Sequence, residues 1–143
     1  MEQLTEAQAL WLAQSPIGHM ATADAKGAPY VIPVCYAFDG RAIYSVLDAK
    51  PKTAPLTRLR RVRNIQANPQ VSLVVDHYED DWQRLGYLLV FGRAELLQHG
   101  QERADAIGLL RDKYPQYRSM DVADNPVIKI TPERVVAWGS VPD

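Results

Sequence analysis

The sequence is poor in several things, and each shortage excludes a class. Among 143 residues there is one cysteine, Cys35, so no internal disulfide can form. A secreted disulfide scaffold is thereby excluded, and a reducing, cytoplasmic setting is expected. Long hydrophobic runs are missing. The longest apolar stretches, such as 71–75 and 85–92, fall well short of the roughly 20 residues that a membrane-spanning helix needs, so no membrane association is expected. The opening residues, MEQLTEAQALWLAQSP, lack the basic start of a secretory signal, and none is expected. Net charge is nearly absent, at −1, which argues against a generic polyanion binder. The recognisable catalytic signatures are missing too: HExxH, CxxC, GxSxG, a Walker loop and GxGxxG do not occur. The three histidines, His19, His77 and His99, fall in separate segments, so no metal site is expected.

What remains is an ordinary globular composition, 47% apolar and 23% charged, at a length that suits one domain spanning 1–143. Thr5-Glu6-Ala7-Gln8 has the form of a capping box and predicts a helix over Thr5–Gln14, stopped at Ser15-Pro16. Strands are predicted at 17–23, 30–38, 41–47, 71–78, 85–97, 127–130 and 134–138, with helices at about 56–68 and 100–114. Asp39-Gly40 between two strand-like runs predicts a hairpin. Pro33 inside the first of those runs cannot donate to a ladder and predicts an edge or a bulge. Antiparallel hairpins with few helices imply an α+β domain or a closed barrel.

The near-zero net charge hides an asymmetry. From Ala49 to Val75 there is no acid, while Lys50, Lys52, Arg58, Arg60, Arg61 and Arg63 supply six of the sixteen basic residues. Asp76, Glu79, Asp80 and Asp81 then follow within six positions. Lys50 and Lys52 precede a predicted helix that carries Arg60 and Arg61. Helix starts favour anions, and the arginine fork suits a phosphate. A solvated basic helix explains the same residues, and a nucleic-acid surface is disfavoured because no aromatics are interleaved. Cys35, with no histidine nearby in sequence, reads as an inert thiol rather than a nucleophile.

Four segments, GAPYVIPVCYAFDGRAIYSV (27–46), RLRRVRNIQANPQVSLVV (58–75), GRAEL (92–96) and ITPERVVAW (130–138), resemble the pyridoxamine 5'-phosphate oxidase-like split-barrel flavoproteins in order and spacing. DAKPK (48–52) and VDHYEDDW (75–82) look most like the short branch that uses the deazaflavin coenzyme F-420. The resemblance implies a mainly β, α+β fold: a six-stranded antiparallel split barrel with flanking helices. It also implies a homodimer with a flavin-type cofactor, F-420 or FMN, at the subunit interface. By the same resemblance, Ile32, Pro33, Val34 and Cys35 would lie along the cofactor ring, and Tyr44 and Ser45 would meet its tail. Arg60 and Arg61, with Lys50 and Lys52, would hold its phosphate end. Tyr87 would face the cofactor, and Trp138 would come from the second subunit.

The chain lacks the C-terminal basic segment of the vitamin B6 oxidase, and Ile32 and Ala37 stand where that enzyme has basic residues. Oxidation of pyridoxamine phosphate is therefore not expected. The expected activity is hydride transfer between the cofactor and a small organic substrate. The cofactor carries that chemistry, so no acid–base residue is required; Tyr87 is the first candidate if a proton donor is needed. The rival readings are a flavin or haem carrier without turnover and a nucleic-acid-binding module.

Overall fold

The computed structural model describes residues 4–48 and 55–142. Three helices, α1 (Glu6–Gln14), α2 (Arg60–Ala67) and α3 (Gln101–Lys113), accompany seven strands. The strands are β1 (Gly18–Ala23), β2 (Pro29–Val34), β3 (Ala37–Phe38), β4 (Ile43–Val46), β5 (Gln70–His77), β6 (Gly86–Leu97) and β7 (Val127–Gly139). They form one antiparallel sheet in the order β2-β1-β5-β6-β7-β4-β3. The two end strands, β2 and β3, are joined by only Cys35 and Tyr36. A sheet whose opposite ends are tied by two residues must curl, and a split barrel results.

The expected split-barrel class holds, with seven strands in place of six. The difference lies in the run 30–38. Only Ala37 and Phe38 pair with β4 across the Asp39-Gly40 turn, whereas Pro29–Val34 pair with β1. The chain changes partner at Cys35-Tyr36. Pro33 sits on an edge strand, where its missing N–H costs no ladder bond. Segments 127–130 and 134–138 form one strand that runs through Thr131-Pro132, with a register shift at Phe91/Gly92 that leaves Glu133 unpaired.

Inside the barrel, Met20, Leu73, Val75, Leu88, Val90 and Ile128 are fully buried and meet Leu12 of α1 and Val62 of α2. The capping box at Thr5 and Gln8 is formed. Helix α2 closes one end of the barrel, where buried Asn64 donates to Thr22 Oγ1 at 3.0 Å. Helix α3 packs on β4 through Ala106, Ile107 and Leu110.

Candidate functional site

Strand alternation sends every second residue outward, and the outward row of this sheet is unusual. Pro33, His19, Val74, Leu89 and Val136 are successive partners across five strands. Beside that row run Val31, Ala21, Ser72, Phe91 and Arg134. Val31 is 63% exposed although it is an aliphatic residue in a regular strand. The Arg134 guanidinium lies 4.3 Å from the Phe91 ring centre. Tyr87 and Trp138 are direct cross-strand partners and stack at 5.7 Å between ring centres, with Trp138 53% exposed. The outer face is thus largely apolar, with Val31, Pro33 and Trp138 exposed and Val74, Leu89, Phe91 and Val136 half-buried within one chain.

The basic site lies at one end of this sheet. Leu59 precedes α2 and offers no side-chain cap, and the first turn of the helix contains no acid. Arg60 is exposed and close enough to the β1–β2 turn to help hold the Asp24 carboxyl below its usual range, after the stronger effects of the Ala28 and Lys26 amides. Arg61 is half-buried, and its Nε is buried without a hydrogen-bond partner among the described residues. A buried guanidinium N–H beside a helix start without a side-chain cap is a donor that suits an anion. Lys50 and Lys52 lie outside the described residues.

The other expected positions fall differently. Ile32 packs against the barrel core and Val34 is part of it, so neither side chain faces outward. Pro33 does face outward, and Cys35 is half-buried against the α3 cluster. Strand β2 has a strand partner on one side only, so its other edge can offer backbone groups to a ligand. Tyr44 turns toward α3, where its hydroxyl donates to Glu102 Oε2 at 2.7 Å. Ser45 is buried in β4, on the Ile43 side of the strand. The structure therefore brings Tyr87 to Trp138 and Arg60 to Arg61, but it does not bring Tyr44 or Ser45 to either pair.

A second polar system escaped sequence reasoning. Lys113 donates to the Tyr36 carbonyl at 2.8 Å and lies 4.0 Å from the Tyr36 ring centre. The Tyr114 hydroxyl meets both the Tyr36 amide and its carbonyl at 3.1 Å. These contacts clasp the joint between β2 and β3. Burial pushes Lys113 down to about 8 and Tyr114 up to about 12. The Asp-Lys-Tyr order at 112–114 carries no local signal of this, because the partners are 77 and 78 residues away. No group of three or more metal-ligating side chains occurs among the described residues. None of the described helices is long and apolar enough to cross a membrane.

Comparison with known proteins agrees with the geometry. No curated protein matches. Three solved structures illustrate the likeness. A conserved hypothetical protein, Rv2991 of Mycobacterium tuberculosis, superposes with a TM-score of 0.76 at 19% identity, over 97% of this chain and 90% of its own. A heme binding protein from Mycobacterium smegmatis gives 0.74 at 21% identity, over all of this chain and 57% of its own. An F420 reductase gives 0.67 at 24% identity, over 93% and 98%. Such identities establish a shared fold. The match that reaches further covers residues 4–139 and includes the edge strand, the arginine-bearing helix and the Tyr87–Trp138 pair: the chain belongs to the pyridoxamine 5'-phosphate oxidase family.

Proposed function

We propose that the protein is an oxidoreductase that binds a flavin-type cofactor, coenzyme F-420 or FMN, and passes a hydride between it and a small organic substrate. The observation that carries this reading is the orphaned Arg61 Nε at the uncapped start of α2. Its donor chemistry fits a phosphate, with Arg60 as the second cation. The bound cofactor would supply the hydride chemistry. The chain's own residues would bind, orient and shield. Arg60 and Arg61 would neutralise the phosphate end, with Lys50 and Lys52 as further candidates. The free edge of β2 at Ile32, Pro33 and Val34, with Cys35 just beyond it, would offer backbone groups to the ring system. The apolar outer face, with Tyr87 and Trp138, would exclude water once covered by a second copy. Tyr44 and Ser45 would act only through the backbone, because their side chains are engaged or buried.

Titration of the purified protein with F-420 and with FMN, followed by fluorescence, tests the reading. Micromolar binding of one of them is expected, and binding of neither would overturn it. Reduced, cofactor-loaded protein should then pass electrons to at least one of a quinone, biliverdin or an artificial acceptor.

A second reading, a haem or flavin carrier without turnover, is favoured by one observation. His19 projects from the apolar outer face between Pro33 and Val74, where an imidazole could meet a flat apolar ligand. Haem titration of the wild type and of His19→Ala separates the two: a Soret shift lost in the variant favours the carrier.

A further inference from the structure

Helix α1 is apolar on two faces. Leu12 is fully buried in the barrel core. Leu10 stands two positions earlier, about 200° round the helix, and is 56% exposed. Trp11 between them is half-buried and packs against the core. The second face borders a cavity of about 300 Å³. Leu10, Trp11 and Pro16 line one side of it and Val141 and Pro142 another, while Asp76 and His77 join from the end of β5. A concave, mostly apolar lining with a few polar groups is that of a small-molecule site. Its walls are fastened. The Tyr36 hydroxyl donates to the Leu12 carbonyl, and the Tyr114 hydroxyl lies 2.9 Å from the Pro16 carbonyl. After β7, the Ser140 amide donates to the Leu85 carbonyl at 2.8 Å and its hydroxyl to the Gln83 carbonyl at 3.1 Å. Walls fixed in advance lower the ordering cost of binding.

Charge narrows the ligand class. No lysine or arginine lines the cavity. His77 Nε2 lies 3.3 Å from one oxygen of Glu79, and Arg84 Nε lies 2.8 Å from the other, so Glu79 is compensated. Asp76 has no ion-pair partner among the described residues. Exposed Asp80 and Asp81 of the β5–β6 turn add negative charge at this end of the sheet. The arginines of α2 belong to the other end. Six residue steps of strand separate Gln70 from Asp76, about 20 Å, too far for those arginines to compensate Asp76. An anion is disfavoured in this cavity, and a cation gains from both Asp76 and the indole of Trp11. We propose that the cavity is a second ligand site, which takes a small aromatic ammonium of one or two rings. Its ring would lie between Trp11 and the Val141-Pro142 segment, with the ammonium toward Asp76. The site is separate from the phosphate-binding end of α2 and needs no flavin.

The experiment is calorimetric titration of the purified full-length chain, with no flavin added, using tryptamine and indole-3-acetate. These probes share a ring system and carry opposite charges. Tryptamine should bind with a Kd below about 1 mM, and indole-3-acetate at least about tenfold more weakly. Asp76→Asn should erase that preference. Ala7→Phe fills the cavity from an exposed helix position and should abolish binding, with the fold checked by circular dichroism. Leu10→Lys adds a cation at the rim and should do the same if the first variant fails to fold. Equal affinity for the two probes would overturn the proposal, as would no binding of tryptamine up to about 10 mM. Tryptamine binding that survives both α1 variants but is lost in Trp82→Ala would place the amine on the exposed turn and also overturn it. Because flavin is absent throughout, the outcome is independent of the cofactor titration that tests the proposed function.

Discussion

Two regions of this barrel treat their polar groups in opposite ways. On the α3 side they answer one another. The Tyr44 hydroxyl donates to Glu102, and Lys129 reaches the same carboxylate oxygen at 2.7 Å. Lys113 and Tyr114 fasten the backbone of Tyr36. The Tyr117 hydroxyl donates to Asp48 at 2.6 Å. On the side of α2 and the outer sheet face, the Arg61 Nε has no described partner, Leu59 offers the helix start no side-chain cap, and an apolar surface stays exposed at Val31 and Trp138. Buried polar groups normally find partners, and open apolar patches normally find covers. The first region meets most of its needs within the chain: even Arg103, whose Nε has no described partner, donates through Nη1 to the Ala123 and Asn125 carbonyls. On the function proposed above, the second would acquire its partners from a ligand and a second copy.

Substitutions can break or sharpen this contrast. The largest effect is expected from Arg60→Ala with Arg61→Ala. Charge-assisted hydrogen bonds are worth about 1.5–3 kcal/mol each, so cofactor affinity should fall by roughly 10²- to 10⁴-fold. Urea unfolding of the unliganded variant should change little, and a large loss of stability instead would place the arginines with the self-sufficient region.

Trp138→Ala comes next. Its ring is half exposed and stacks on Tyr87, so unfolding free energy should drop by less than about 1 kcal/mol. Cofactor affinity, read by fluorescence, should weaken by about tenfold or more. Global unfolding would move Trp138 into the core.

Lys113→Met should behave in the opposite way, with a loss of about 1 kcal/mol in denaturant titrations, modest because Tyr114 still satisfies the Tyr36 carbonyl. The pH dependence carries a sign. Burial lowers Lys113 from 10.5 to about 8, so between these values the unfolded chain holds more protons than the folded one. Stability contributed by this site therefore rises with pH over that window. Wild type should gain on Lys113→Met as pH goes from 8 to 10. Above pH 10 the raised tyrosines Tyr36, Tyr44, Tyr114 and Tyr117 act in the other direction in both proteins.

Glu102→Gln is the smallest of the set. Hydrogen bonds from Lys129 and then Tyr44 lower the Glu102 carboxyl below 4.5. Its contribution is present above the unfolded value and is lost as pH falls through the folded one. The group is nearly half exposed, so screening holds the effect under about 1 kcal/mol, visible as slightly less acid sensitivity in the variant.

Much of this architecture was legible one segment at a time. The capping box at Thr5, the turn at Asp39-Gly40 and the amphipathic Val62–Ile65 face are consequences of local chemistry, which operates over a few residues. Pro33 correctly marked an edge, because a missing N–H excludes a central strand whatever the tertiary context. The basic cluster pointed to Arg60 and Arg61, although an orphaned Nε becomes visible only when its surroundings are built.

The strand partners were decided elsewhere. The run 30–38 reads as one strand and is two, because closing the barrel forces a change of partner at Cys35-Tyr36. Tyr44 and Ser45 look available in the sequence and are engaged or buried, since their neighbours, Glu102 and the barrel interior, come from distant segments. The separation of the arginines from the acids follows the same rule. About eighteen positions of sequence set them near each other, but an extended β5 carries them to opposite ends of the sheet. Composition and short-range spacing reveal which residues a chain has to spend on caps, turns and anion sites. Only pairing across long loops decides which of them end up facing one another, because register is set by burying one face of every strand at once.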